Sequence, residues 1–121
     1  MKIAVSATEP KLEAGVDERF GRCKYFVIVD TDTMDFETVD NSASLASGGA
    51  GVATAQMIAG KGVAAVLTGN CGPNAYQVLS PAGIKVITGV FGSVKEAVES
   101  YKVGKYEEAS QSNVPDHFGK G

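Results

Sequence analysis

The residues of this chain best suited to chemistry are its cysteines, Cys71 and Cys23, each set beside glycine or arginine. Cys71 lies in the run Thr68-Gly69-Asn70-Cys71-Gly72-Pro73-Asn74-Ala75, between an apolar stretch at residues 63–67 and a short helix. Gly69 and Gly72 permit a tight turn that side chains would obstruct. Pro73 suits the first helical position, where its missing N–H costs nothing. A thiol at the mouth of a helix faces N–H groups that lack partners within that helix and attract negative charge. Such a setting lowers a cysteine pKa, and the thiolate is the form that binds metal. The backbone of Gly69, Asn70, Gly72 and Asn74 adds donors for an anion. Cys23 follows Arg22 and leads into an apolar strand, and nearby Arg19, Arg22 and Lys24 would favour its thiolate. Cys71, with Cys23, is therefore the expected soft-ligand set. Each thiol also has a plain packing reading, as a small buried hydrophobe in the core or at a sheet edge. The two readings separate in one experiment: Cys71→Ser should weaken binding of a thiometallate far more than it lowers stability if the thiol is a ligand.

A second glycine run, Gly48-Gly49-Ala50-Gly51, has two readings: close helix–sheet packing, or further backbone donors for an anion around Gly49. It is not a dinucleotide fingerprint, because a polar connector precedes it and the spacing fails at Thr54. It lacks the Gly-Lys-Ser/Thr of a phosphate-binding loop. Metal-dependent nuclease chemistry needs clustered carboxylates, usually with one on the first strand. Residues 2–7 carry none, and Asp17, Glu18, Asp30 and Asp32 fall in loops and turns. The only histidine, His117, sits far along in the tail, so no Ser-His-Asp or Cys-His set can be assembled.

These residues must be positioned by an α/β framework. Residues 2–7 read as a first strand, followed by a polar loop over residues 9–21. Residues 25–29, aromatic and β-branched throughout, give the strongest strand signal. The turn at residues 30–33 predicts a hairpin into a return strand at 36–39, so the second strand should pair antiparallel with both neighbours. A polar connector at 40–47 leads to an alanine-rich, largely buried helix from Gly48 to about Ala59. Strands at 63–67 and 84–87 alternate with helices at 73–79 and 94–103. In the last helix Ser93 and Glu96 make a capping box ahead of a Val94, Ala97, Val98, Tyr101 stripe. The order β-β-β-α-β-α-β-α implies a mixed sheet in three layers, with ligands beyond the carboxyl ends of the parallel strands. The loops at 19–23 and 69–74 should then lie side by side and form a polar pocket.

With 121 residues there is material for one core, expected over residues 1–104, with a flexible polar tail at 105–121. A formal net charge of -3, with no dense Lys/Arg stripe, argues against nucleic acid. The apolar opening is too short for a membrane span or a signal segment. Cysteine usage excludes a disulfide scaffold, so a cytoplasmic protein with reduced thiols is expected.

The segments Arg19-Phe20-Gly21-Arg22-Cys23-Lys24-Tyr25-Phe26, residues 48–55 and residues 69–75, in this order and spacing, resemble the dinitrogenase iron–molybdenum cofactor biosynthesis family. The resemblance covers residues 2–103. It implies a ribonuclease-H-like fold and non-covalent carriage of a metal–sulfur cluster, either iron–sulfur or molybdenum-containing, without catalysis. It also implies cluster donor or acceptor proteins as partners, for a monomer or weak homodimer. The family commonly has His-Phe-Gly where this chain has Arg19-Phe20-Gly21. Arg19 cannot coordinate a metal but can pair with an anionic sulfide or oxo group. The cofactor-binding set is thus Arg19, Arg22, Cys23, Gly49, Gly69, Asn70, Cys71, Gly72 and Asn74. Two thiols cannot complete a four-thiolate site, so a cluster must arrive preassembled or be shared between chains. Two readings from other classes stay open: a module for a phosphate-bearing small molecule, and an interaction domain without ligand.

Overall fold

The computed structural model describes residues 1–42 and 50–106, so Gly49, the connector beyond Ser42 and His117 lie outside the described residues. Strands β1 (Lys2–Ala7), β2 (Tyr25–Asp30), β3 (Phe36–Asp40), β4 (Ala65–Leu67) and β5 (Lys85–Ile87) form one sheet in the order β3-β2-β1-β4-β5. Helices α1 (Ala50–Ala59), α2 (Pro73–Leu79) and α3 (Val94–Lys102) complete the described elements. Across the short turn β2 pairs antiparallel with β3 and, with no crossover helix between β1 and β2, it pairs antiparallel with β1 as well. β1, β4 and β5 run parallel, with Val5 opposite Leu67 and Leu67 opposite Ile87. Regular pairing of β4 begins at Ala65 rather than at residue 63. Ala64 nonetheless joins the ladder edge, its N–H donating to the Lys2 carbonyl at 2.8 Å.

Side chains alternate across the pleat, and the two resulting faces build separate cores. On one face Ala4, Phe26, Ile28, Val66 and Val86 pack with Ala55 and Ile58 of α1 and Ala75 and Leu79 of α2. On the other, Ile3, Val5, Val27, Val29 and Leu67 pack with Val94, Ala97 and Val98 of α3. Central β1 is covered on both sides, which explains an apolar run without alternation. Edge strand β3 is mostly exposed and keeps polar residues.

The Ser93–Glu96 capping box forms as its spacing implies. The Glu96 N–H donates to Ser93 Oγ at 3.1 Å, and the Ser93 N–H donates to Glu96 Oε1 at 3.1 Å. Hydrogen bonds from Ser93 to the ionised Glu96 carboxylate hold its pKa below the usual value. Removing a cap of this kind costs about 1 kcal/mol, so Ser93→Ala should lower the urea midpoint accordingly without changing the slope.

Candidate functional site

One end of the sheet collects five chain segments. The carboxyl ends of β1, β4 and β5 meet there because those strands are parallel. Antiparallel β2 brings its amino end to the same edge, with Tyr25 opposite Ala7, and β3 brings Asp40 opposite Tyr25. Residues 19–24, which precede β2, therefore reach the rim that residues 68–74 occupy. The two loops touch directly: the Phe20 N–H donates to the Asn70 carbonyl at 3.1 Å, and Arg19 and Asn70 form a parallel bridge.

Buried hydroxyls knit the loop to the strands. Ser6 Oγ lies 2.6 Å from the Asp17 carbonyl and 2.8 Å from Thr68 Oγ1. Gly69 is required for another reason: a Cβ there would stand 2.6 Å from Glu18 Cα. Gly21 presses similarly on α1, where an added Cβ would meet Gly51 Cα at 3.0 Å.

Between these segments opens a pocket of about 310 Å³, lined by Arg22, Gly21 and Gly51 on one side and by Gly72, Pro73 and Asn74 on the other. Ala50, Val52 and Ala75 complete the lining. Among the described residues Arg22 is the one charged side chain lining it, and no acidic partner neutralises it. Small residues elsewhere leave backbone, rather than side chains, at the surface. Of the residues expected from sequence, the fold brings Arg22, Gly72 and Asn74 together here. Arg19 faces another groove, with Thr8, Val16, Asp17 and Glu18, and its Nε stands 3.7 Å from Asp17 Oδ1. Asn70 is exposed beside Arg19, while Gly69 is buried under Glu18.

Both thiols occupy the positions of their packing reading. Cys23 and Cys71 are wholly buried in the core beneath the pocket, packed in the cluster that holds Phe20, Phe26, Ala75 and Leu79. Burial pushes the Cys71 thiol up to about 12. Cys23 is also pushed up to about 12, by burial first and then by the Asp17 charge, against a weaker opposing effect of Arg19. Position at the start of α2 does not acidify Cys71, because taking an ion out of water outweighs the end of a seven-residue helix. The Cys23 S–H lies 3.3 Å from the Phe20 carbonyl, to which it donates. Both thiols thus sit as buried groups below the pocket, and among the described residues no three His, Cys, Asp or Glu side chains gather as a metal site.

Of the other lining residues, Gly21 and Pro73 lie in the loops expected to form the pocket and Ala50 and Gly51 in the glycine run weighed as anion donors, although none was singled out, while Val52 and Ala75 were missed. Their common signal is small size next to a turn, which the glycine spacing around residues 21, 51 and 72 carried in weak form. Asn41 and Thr54, both buried and polar, were also missed, since their partners lie far away in sequence. No helix among the described residues is long and apolar enough to cross a membrane.

Comparison with known proteins identifies the family and the fold. The family described as dinitrogenase iron-molybdenum cofactor matches residues 1–104. The apo form of the orange protein from Desulfovibrio gigas is 46% identical, covers 93% of this chain and 95% of its own, and superposes with a TM-score of 0.89. A candidate NifB protein from Thermotoga is 34% identical over 88% of this chain and 91% of its own, with a TM-score of 0.76. An uncharacterised Methanocaldococcus jannaschii protein is 34% identical over 110 residues, 88% of this chain and 90% of its own.

Proposed function

Because the chain belongs to the dinitrogenase iron-molybdenum cofactor family, we propose that it is a non-catalytic carrier for an anionic metal–sulfur cluster or its precursor, held without covalent ligation. One observation carries this reading: an open pocket of about 310 Å³ whose single charged lining residue, Arg22, has no acidic partner among the described residues. A guanidinium donates in a planar fork to sulfido or oxo edges, and backbone donors at glycine-rich turns add directional contacts. Arg22, Gly72 and Asn74 contact the cargo in this reading, and Arg19 and Asn70 stand at the loop edge. The donor set suits an intact anion and not a bare metal ion, since the thiols beneath the floor are buried and protonated. A carrier of this kind works in the cytoplasm between cluster donor and acceptor proteins. The order β3-β2-β1-β4-β5 with antiparallel β2 supports a ribonuclease-H-like description of the sheet.

The same pocket chemistry also suits a phosphate-bearing small molecule. Anaerobic titration with tetrathiomolybdate, set beside inorganic phosphate, separates the two. Saturable tetrathiomolybdate binding, weakened about tenfold in Arg22→Ala as loss of a charge-assisted contact implies, is the expected result. Preference for phosphate favours the metabolite reading. Absence of binding to either probe leaves an interaction domain.

A further inference from the structure

We infer that Asn41 and Thr54 are positioning residues that hold Arg22 at the pocket by fastening the backbone beside it, an inference that rests on the carrier reading above.

Arg22 sits on a loop without regular pairing, so its guanidinium is useful to an anion only if the main chain at residues 21–23 is fixed. The fastening comes from inside the molecule. Asn41 Nδ2 donates to the Cys23 carbonyl at 2.9 Å, and the Asn41 N–H donates to the Lys24 carbonyl at 2.8 Å. Thr54 Oγ1 lies 3.2 Å from Asn41 Oδ1 and 3.5 Å from the Gly21 carbonyl, and donates to one or the other. The Cys23 carbonyl just after Arg22 is thus held by the Asn41 amide, and the Thr54 hydroxyl either orients that amide or holds the Gly21 carbonyl just before Arg22. The Arg22 side chain itself remains exposed toward the pocket.

Both side chains are almost fully removed from water, Asn41 at 1% and Thr54 at 0% relative exposure. A buried amide and hydroxyl add little net stability over well-packed apolar groups and penalise any loss of partner. Their use here is directional: they select one backbone path where apolar contacts would allow several. The network also joins the pocket's walls. Thr54 lies on α1, whose Gly51 and Val52 line one wall, and Asn41 follows edge strand β3. A loop already ordered in the free protein spares the ligand the entropy of ordering it.

The test is anaerobic tetrathiomolybdate titration of Thr54→Val, Thr54→Ser, Asn41→Ser and Arg22→Ala, at a temperature well below each melting transition. Valine keeps the volume of threonine and removes the hydroxyl. It should weaken binding about fivefold, the worth of one mislaid hydrogen bond at the loop, and serine should restore it. Asn41→Ser, too short to reach the Cys23 carbonyl, should reproduce the loss and serves if Thr54→Val does not fold. Wild-type affinity in folded Thr54→Val or Asn41→Ser overturns the inference. Equal loss in Thr54→Val and Thr54→Ser overturns it too, because volume rather than the hydroxyl would then matter. An Arg22→Ala protein that binds as the wild type does removes the carrier pocket itself, and the inference with it. Loss in Arg22→Ala alone leaves the pocket standing and rejects only the positioning role.

Discussion

Gly69→Ala is expected to lower the stability of this protein by about 3 kcal/mol, the upper range for forcing a methyl into a filled space. The new Cβ would lie 2.6 Å from Glu18 Cα and 2.9 Å from the Glu18 carbonyl oxygen, both main-chain atoms that cannot swing aside. The opposing segment is held from two directions. The Asp17 N–H donates to the Ser6 carbonyl at 2.8 Å, and the Phe20 N–H donates to Asn70 at 3.1 Å. Relief of the clash must break one of these attachments and part the two loops at the rim. Gly72 provides the contrast within the same turn. It has φ of -73°, which any residue adopts, and nothing within 4 Å of an added Cβ. Gly72→Ala should therefore change stability by less than about 0.5 kcal/mol while narrowing the pocket. Urea denaturation of both variants checks the pair. A Gly69→Ala midpoint equal to that of Gly72→Ala would show that the rim yields, contrary to the geometry.

The second large effect is alkaline. Both thiols are pushed up to about 12 in the fold against an ordinary 9.0. The unfolded chain releases these protons above pH 9, and the folded chain keeps them until about 12. The stabilising contribution is therefore complete below pH 9 and declines as pH rises from there toward 12. At pH 10 the loss is about 3 kcal/mol for the two thiols together. The measurement is a difference between two proteins that share every other group. Stability between pH 8 and 10 should fall by about 3 kcal/mol less in the Cys23→Ala, Cys71→Ala protein than in the wild type. Parallel pH curves would mean that the thiols ionise inside the fold. The same burial reverses the expectation for Cys71→Ser. A hydroxyl set among Phe20, Ala75 and Leu79 should lower the melting temperature and leave tetrathiomolybdate affinity unchanged.

Local chemistry decided a good part of this molecule. The Ser93–Glu96 box, the stripe at residues 94, 97, 98 and 101, and the turn at residues 30–33 act over a few residues. Their geometry follows from composition and spacing alone. The turn makes β2 antiparallel to β3, and without a crossover helix between β1 and β2 those strands pair antiparallel too, which sends residues 19–23 to the end of the sheet where the parallel strands finish. That residues 19–23 and 69–74 meet was thus legible before any coordinates.

Which atoms face the pocket was not. A loop backbone can turn either side outward, and one residue of difference exchanges Arg22 for Cys23. Cys71 and Asn70 divide in the same way, one wholly buried and one exposed. Charge pairing was equally hidden. Arg19 and Arg22 look alike in sequence, yet Asp17 attends the first, and its Oδ1 also accepts the Arg19 N–H at 3.0 Å. Asn41 meets the Cys23 carbonyl 18 residues away, and Thr54 meets Asn41 and the Gly21 carbonyl, 13 and 33 residues away. By itself the sequence determined the elements, their order and the edge of the sheet on which function could reside, because those depend on short-range periodicity and turn chemistry. Only the tertiary structure decided that the thiols are sealed and Arg22 is presented, because desolvation and long-range hydrogen bonds exist only once distant segments have packed.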